Sequence, residues 1–431
     1  MKRVVFMLVV LLSMLLIFSC DKIPSSKSET ISKLKQELAE CQAENQKLKG
    51  KKAETESKTV KVGLLMAFTG PIESVVPGMA QAAELAIKEA SDSGAFLGGT
   101  KITAVRADST CINATEAISA AKWLVNSENV IGIVGASCSG ATAAVVNSVS
   151  VPYETTTISP SATSPALTNI KDNGFFFRSV PSDARQGEVL ANIVINRGIK
   201  KVAVTYVNSD YGKGLSDSFT TNYALLGGQI SVTVPHEDGK SDYTEVVALL
   251  SNSKVKDLVV FGYLDQGGKG IIKAALKTGV FDHFILADGM IGDPLTDDFG
   301  KAINGSFGTI PGEETISSDK WIKLAKTAGI PLNGPFRDGA YDAAALIILA
   351  AQAGKSVDKA SIKKHMMSVA NAPGEKIYAG ELKKALKILA NGGELDYVGA
   401  KNIEFMKSGE IFGSYRELEV VNAKFETIAT H

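Results

Sequence analysis

Hydrophobic positions along this chain follow two alternating rhythms. From Val60 onward, short Val- and Ile-rich runs bounded by Gly, Pro, Asn or Asp read as strands, and the stretches between them repeat apolar residues every three to four positions and read as helices. The pattern predicts strand 60–66, helix 78–91, strand 102–108, helix 115–126, strand 130–134, helix 141–149 and a short β-type run at 155–158. A second series begins with strand 201–206 and continues through helix 211–226, strand 229–234, helix 243–253, strand 257–261, helix 266–277 and strand 284–287. Each series is a βαβ progression, whose right-handed crossovers build a parallel, doubly wound sheet. The fold class is therefore α/β with two Rossmann-like lobes and not one large sheet. Helices at 339–353, 361–369 and 381–391 follow, then strands at 416–421 and 424–426.

The first sixty residues have a different texture. Lys2 and Arg3 precede an apolar run from Val4 to Phe18. At 1.5 Å per residue such a run is too short for a hydrocarbon core of ~30 Å, which needs ~20 residues, so residues 1–19 read as a signal peptide. Ser19-Cys20 at its border resembles the bacterial lipobox, in which Cys20 is acylated and becomes the anchor. Residues 20–58 form a charged linker without an aromatic residue and cannot build a core of their own. Inside it Ile31, Leu34, Leu38, Cys41, Asn45 and Leu48 recur at spacings of 3, 4, 3, 4 and 3, a heptad seam over 31–48. That stripe fits a short parallel coiled coil making a homodimer, and equally a lone charged stalk.

Charge and composition narrow the chemistry. Forty-six Lys and Arg balance 46 Asp and Glu, and no basic stripe is present, so no nucleic-acid partner is expected. The four histidines (236, 283, 365, 431) make no metal-binding spacing and no partnership with a nucleophile. The glycine-rich stretches at 211–214 and 266–270 lack the spacing and the Ser or Thr of a phosphate loop. No cofactor, metal or catalytic group is expected, and the chain reads as a binder and not an enzyme.

Two hydroxyl-rich turns carry the ligand chemistry. Gly135-Ala136-Ser137-Cys138-Ser139-Gly140 follows the strand 130–134, and Ser159-Pro160-Ser161-Ala162-Thr163-Ser164 follows the run at 155–158. Both fall where open α/β sheets present ligands, beyond the C-terminal ends of strands. Together with Lys61 to Pro71, Ser209-Asp210-Tyr211-Gly212-Lys213-Gly214 and Ala287-Asp288-Gly289, they resemble, as an ordered set, the leucine/isoleucine/valine-binding family of type I periplasmic binding proteins that serve ABC importers. The resemblance runs from about Val60 to the C-terminus. It implies a hinge of three crossings, near Ser179-Val180-Pro181, Thr309-Ile310-Pro311-Gly312 and Gly413-Ser414-Tyr415. Lobe 1 would then comprise 59–180 and 311–413, and lobe 2 would comprise 181–310 and 414–431.

The resemblance also assigns roles. Ser139 and Thr163 would hold the α-groups of an amino acid, with Ser139 beside free N–H groups at a helix start, and the Ser161 carbonyl would accept from the ammonium. Tyr211 would close from the second lobe, Asp288 would pair with the ammonium and Phe336 would form an aromatic wall. Val75 and either Tyr263 or Leu264 occupy positions where relatives carry aromatic residues. Arg337 and Asp338 at the rim read as a solvated salt bridge. Cys111 and Cys138 lie at C-terminal strand ends on one edge of the lobe and are the natural pair if Cys20 is lipidated; the family carries a disulfide there, which leaves Cys41 odd. The expected function is capture of a small, aliphatic amino acid outside the cytoplasm, at the periplasm or cell surface of a bacterium, for an ABC permease. The alternatives are binding or sensing of an amide, urea or aromatic acid on the same fold, and a scaffold in the envelope.

Overall fold

The computed structural model describes residues 59–431, together with Lys35, Gln36 and residues 38–40. These five N-terminal residues are helical and exposed, with Gln36 Nε2 donating to Glu40 Oε1 at 3.1 Å. The signal peptide, Cys20, Cys41 and most of the heptad seam lie outside the described residues.

The first sheet has the order β2-β1-β3-β4-β5 and is parallel throughout. Its strands are β1 (Thr59–Met66), β2 (Lys101–Asp108), β3 (Ile133–Gly135), β4 (Thr157–Ser159) and β5 (Phe176–Arg178). Crossover helices cover both faces, which is why β1 is buried continuously from Val62 to Met66 instead of in alternation. Helix α1 (Val76–Asp92) opens on Pro77, whose fixed φ suits a first turn, and buries Met79, Ala80, Ala83, Ala86, Ile87 and Ala90. Helix α2 (Ala114–Asn126) is capped by Asn113, whose side chain accepts from the Thr115 and Glu116 amides. Helix α3 is shorter than the pattern predicts: it runs from Ser139 to Val145 and passes into a π-helical turn at Val146–Ser150.

The second sheet has the order β14-β13-β10-β9-β8-β6-β7. Strands β6 (Lys201–Val207), β7 (Gln229–His236), β8 (Asp257–Phe261), β9 (His283–Leu286) and β10 (Phe307–Pro311) are parallel, and β13 (Tyr415–Val421) and β14 (Lys424–Thr430) extend them antiparallel beside β10. Helices α4 (Asp183–Asn196), α5 (Asp210–Leu225), α6 (Thr244–Ser251), α7 (Gly267–Thr278) and α8 (Asp293–Phe299) fill the connections. Beyond β10 come α9 (Ile316–Thr327), α10 (Arg337–Ala353), α11 (Lys359–Ala370) and α12 (Leu382–Ala390), with a small parallel pair β11 (Glu375–Tyr378) and β12 (Leu395–Gly399). Almost every side chain of α10 is buried, because it lies between α1, α11 and the first sheet. The chain thus passes between sheets after β5, after β10 and again before β13.

Several elements escape the sequence pattern. Strand β5 is three residues long and ends in Arg178, and α8 has only seven residues, too few for a period to register. Helix α9 opens with a capping box between Thr315 and Ser318 but carries little apolar surface, burying only Ser317, Trp321 and Ala325.

Candidate ligand-binding site

The two sheets present their strand ends to each other, and one cavity lies there. Its walls include Ser137, Cys138, Ser139 and Ser161 from the first sheet, and Tyr211, Tyr263, Leu264, Asp288, Gly289 and Ile291 from the second. Ile72, Val75, Pro335 and Phe336 complete it. Of the residues singled out by sequence, Ser139, Ser161, Tyr211, Asp288 and Phe336 therefore share one cavity. Thr163 does not line it; it is buried behind, with its carbonyl accepting from the Asp183 amide at 2.8 Å.

Hydroxyl groups stitch the two turns into a rigid floor. Ser161 Oγ donates to the Ser137 carbonyl at 2.8 Å, and Ser159 Oγ donates to the Ala136 carbonyl at 2.6 Å. Ser139 Oγ accepts from the Ser164 amide at 3.1 Å, and Ser164 Oγ donates to the Asp210 carbonyl at 3.0 Å, at the start of α5. The Cys111–Cys138 disulfide joins the loops after β2 and β3, with Cα atoms 5.1 Å apart. Beneath the floor lies Arg178, 1% exposed. Its Nη1 donates to the Ala162 and Ser164 carbonyls at 3.1 and 2.9 Å, its Nη2 to Thr168 Oγ1 at 2.8 Å, and its Nε to Glu410 Oε2 at 2.8 Å. A further contact from Nη2 to Glu410 uses the last of its five N–H groups. A buried guanidinium this fully satisfied holds the loop 161–164 in one shape.

The opposite wall is acidic and aromatic. Tyr211, the second residue of α5, donates its hydroxyl to Asp288 Oδ1 at 2.8 Å, and the Gly289 amide donates to the same oxygen at 2.7 Å. Glycine is required at 289, since a Cβ there would sit 2.8 Å from the Tyr211 hydroxyl and 2.7 Å from the Gly262 carbonyl oxygen. Tyr263 stacks on Tyr211 with ring centroids 5.1 Å apart. Burial pushes the Asp288 carboxyl up to about 6, against the opposing pull of the Tyr211 and Gly289 hydrogen bonds. Burial, then the Asp288 and Asp183 charges, raise the Tyr211 phenol well above its usual range, so it stays a neutral donor.

Asp183 is the residue the sequence pattern misses. It is the first residue of α4 and fully buried, it does not line the cavity, and the Thr163 hydroxyl acts on its carboxyl as a hydrogen-bond donor that lowers its pKa. Burial and the Asp288 charge drive that carboxyl well above the carboxylate range. The signal was present: Ser182-Asp183 is an N-cap followed by an amphipathic run, and the Ser182 side chain accepts from Ala184.

At the rim, the expected Arg337–Asp338 salt bridge is not formed. Arg337 is 9% exposed, donates to the Gly334 carbonyl at 3.1 Å and leaves Nε without a partner. Asp338 instead accepts from the Gly339 amide at 2.8 Å and lies 3.8 Å from Lys401 Nζ. Adjacent residues at a helix start point about 100° apart, which separates the two charges. Elsewhere on the rim the lobes touch directly: the Asp265 amide donates to the Pro71 carbonyl at 2.9 Å, and Asp265 Oδ2 accepts from the Ser74 amide at 2.8 Å. Among the described residues there is no cluster of His, Cys, Asp and Glu suited to a metal, and no helix long and apolar enough to cross a membrane.

Two sheets facing each other across a cleft, with three chain crossings between them, define a two-lobed small-molecule binder. A family model for periplasmic binding proteins matches residues 59–381, and the chain belongs to that family. Among its relatives are the chemotactic signal transduction system substrate-binding protein BasB of Halobacterium salinarum, 25% identical over 85% of this chain and 88% of the relative, and a Leu/Ile/Val-binding protein of Citrobacter freundii, 25% identical over 71% and 82%. Among solved structures, the branched-chain amino acid transporter substrate-binding protein LivJ of Streptococcus pneumoniae, in complex with isoleucine, has a TM-score of 0.72 and 22% identity over 86% of this chain and 99% of its own. A solute-binding protein of an R. palustris ABC transporter, in complex with 4-hydroxybenzoate, has a TM-score of 0.69 and 18% identity over 86% and 97%. The fold is that of type I periplasmic binding proteins, and the relatives are substrate-binding proteins.

Proposed function

We propose that this protein captures a small aliphatic L-amino acid between its lobes, 59–180 with 311–413 and 181–310 with 414–431, and delivers it to an ABC importer. The observation that carries the reading is the division of the cavity. Ile72, Val75, Leu264, Ile291, Pro335 and Phe336 supply an apolar wall for an aliphatic side chain. Ser139, Ser161, Tyr211 and Asp288 supply the polar end for the α-groups. In this reading Ser139 holds the first lobe's share of the α-groups, with Thr163 behind it fixing the shape of the turn, the Ser161 carbonyl accepts from the ammonium, and Tyr211 and Asp288 complete the cage on hinge closure. An aromatic acid offers no cation to Asp288 and fits this polar end poorly. Cys20 anchors the protein to the membrane by its lipid, and residues 31–48 act as a stalk.

Calorimetry against a panel of amino acids, amides, urea and benzoates tests the ligand class. Leucine, isoleucine or valine should bind, and Asp288→Ala should weaken them by well over tenfold, since truncating one partner of a desolvated charge pair costs about 2–5 kcal/mol. Tight binding of a benzoate or an amide with no amino-acid response would refute the assignment. The kinship with BasB, a signal-transduction protein by name, makes uptake of labelled ligand by cells carrying and lacking the protein the test of delivery against sensing.

A further inference from the structure

We propose that the hinge carries a second ligand site, a cavity that takes a small organic monocarboxylate with an apolar body and holds its charged end with Arg337 and Lys401. The site lies outside the cleft and does not depend on which ligand the cleft takes.

The cavity has a volume of about 1040 Å³, at the upper end of what small-molecule sites occupy. All three crossings line it: Pro181 at the first, Pro311 and Gly312 at the second, Gly413 and Ser414 at the third. Pro335 and Phe336 line both this cavity and the cleft, so the two share one wall. Arg337, the next residue, lines only the hinge cavity.

Arg337 is a buried charge without a countercharge. It is 9% exposed, and no carboxylate of the described residues lies within ion-pairing distance of its guanidinium. Of the five N–H groups an arginine carries, one donates to the Gly334 carbonyl at 3.1 Å, and Nε, packed against Gly78, has no acceptor. Asp293 and Asp338 act on it only from a distance and are otherwise engaged, Asp293 by Asn333 at 3.0 Å and Asp338 by the Gly339 amide. Burial outweighs them and pushes the guanidinium down from its usual range. Arginines are seldom buried unless paired, because stripping water from the charge is costly without an anion to replace it. On the same lining, Lys401 has a side chain 5% exposed, with Nζ 3.4 Å from the Pro311 carbonyl oxygen and 3.8 Å from Asp338.

The remaining walls say what the anion is attached to. Ile316 and Phe412, 65% and 63% exposed, and the less exposed Ile322, Leu332 and Met406 put apolar surface on this lining, beside the indole of Trp321. Apolar side chains gathered at one groove mark a binding surface. The other charges on the lining are Arg416 and the carboxylates Glu313, Glu314, Asp319 and Glu404, all on residues open to solvent, where water screens them. Those four acids disfavour a phosphate or any polyanion, whereas a single carboxylate can reach the buried cations and leave its hydrocarbon on the apolar wall.

The probes are 3-phenylpropanoate and 3-phenylpropanamide, which share a body and differ in charge. The chain has two tryptophans, so Trp123→Phe in the full-length protein leaves Trp321, in the cavity wall, to report binding by its emission. The acid should give a saturable change that persists with L-leucine in excess, and the amide should bind at least tenfold more weakly. Arg337→Met, checked by its melting transition, should weaken the acid at least tenfold, leave the amide unchanged and not lower the melting temperature, since it removes an unpaired buried charge. Phe412→Ser, which trims the apolar wall and spares the cations, should weaken acid and amide alike and decides the matter if Arg337→Met does not fold. Absence of a saturable response to the acid overturns the proposal, as do equal affinities for acid and amide. Displacement of the acid by leucine also overturns it, because the acid then sits in the cleft. Failure of leucine to bind, measured by calorimetry, removes the amino-acid reading of the cleft and leaves the acid, amide and variant comparisons to decide this site.

Discussion

The Asp265 contact on the rim isolates the energetics of closure from those of ligand binding. Asp265 sits after β8 and reaches the β1–α1 loop of the other lobe, where its Oδ2 accepts from the Ser74 amide at 2.8 Å and its own amide donates to the Pro71 carbonyl at 2.9 Å. Neither Asp265 nor Ser74 lines the cavity. Asp265→Ala keeps the backbone bond and deletes the carboxylate. A hydrogen bond to a charged group contributes about 1.5–3 kcal/mol when well shielded, and water access at this exposed rim reduces that to about 1 kcal/mol. Separated lobes cannot make the bond, so the whole loss falls on the closed form, and apparent affinity drops by roughly fivefold. Encounter precedes closure, so the change should appear in the dissociation rate with association nearly unaltered. Stopped-flow binding of leucine to wild type, Asp265→Ala and Asp265→Asn measures this directly, with the asparagine variant intermediate because its amide oxygen still accepts. Equal dissociation rates in all three proteins would refute the idea that this contact holds the cleft shut.

Three further outcomes are expected. Replacing Cys111 and Cys138 with serine opens a loop with a sequence separation of 27 and should lower stability by about 3–4 kcal/mol in the chain-entropy model; denaturant melting showing a loss below about 1 kcal/mol would contradict it. His236 is buried on β7 with Nδ1 2.8 Å from Thr205 Oγ1, and burial pushes its imidazole down to about 4. The folded protein therefore refuses a proton that the unfolded chain accepts below about 6.5, and stability present above that pH is lost as pH falls towards 4. His236→Gln should make that decline shallower by about one proton, and an unchanged slope in pH-dependent denaturation would count against the assignment. Finally, Cys20→Ser should shift the protein out of the membrane fraction or leave an unprocessed precursor; correctly cleaved mutant retained in membranes at the wild-type level would exclude the lipid anchor.

The local pattern of the chain was enough to specify that it is α/β, with two largely parallel sheets and most of their helices. Apolar periodicity is a property of neighbouring residues and survives in one dimension: β1 reads as a strand because each face meets a helix, and α10 reads as a helix wherever it is packed. The polar floor was legible for a similar reason, since Ser139 and Ser161 fall just past strand ends, where a parallel sheet must present its loops. Short elements such as β5 and α8 hold too few residues to show a period, and they exist because neighbours cover them. The acidic pair was beyond the pattern altogether. Asp183 and Asp288 are separated by more than a hundred positions, and on its own Asp183 is an ordinary first-turn acid of a helix. Only the folding of two lobes against each other removes water from both carboxyls. The fate of Arg337 was decided in the same way, since the adjacency that suggests a pair with Asp338 is undone by the turn of α10, which buries the guanidinium and sends the carboxylate towards Lys401. Secondary structure follows from interactions between near neighbours; burial, and with it the charge state of every group in the cleft, depends on which distant segments exclude the solvent.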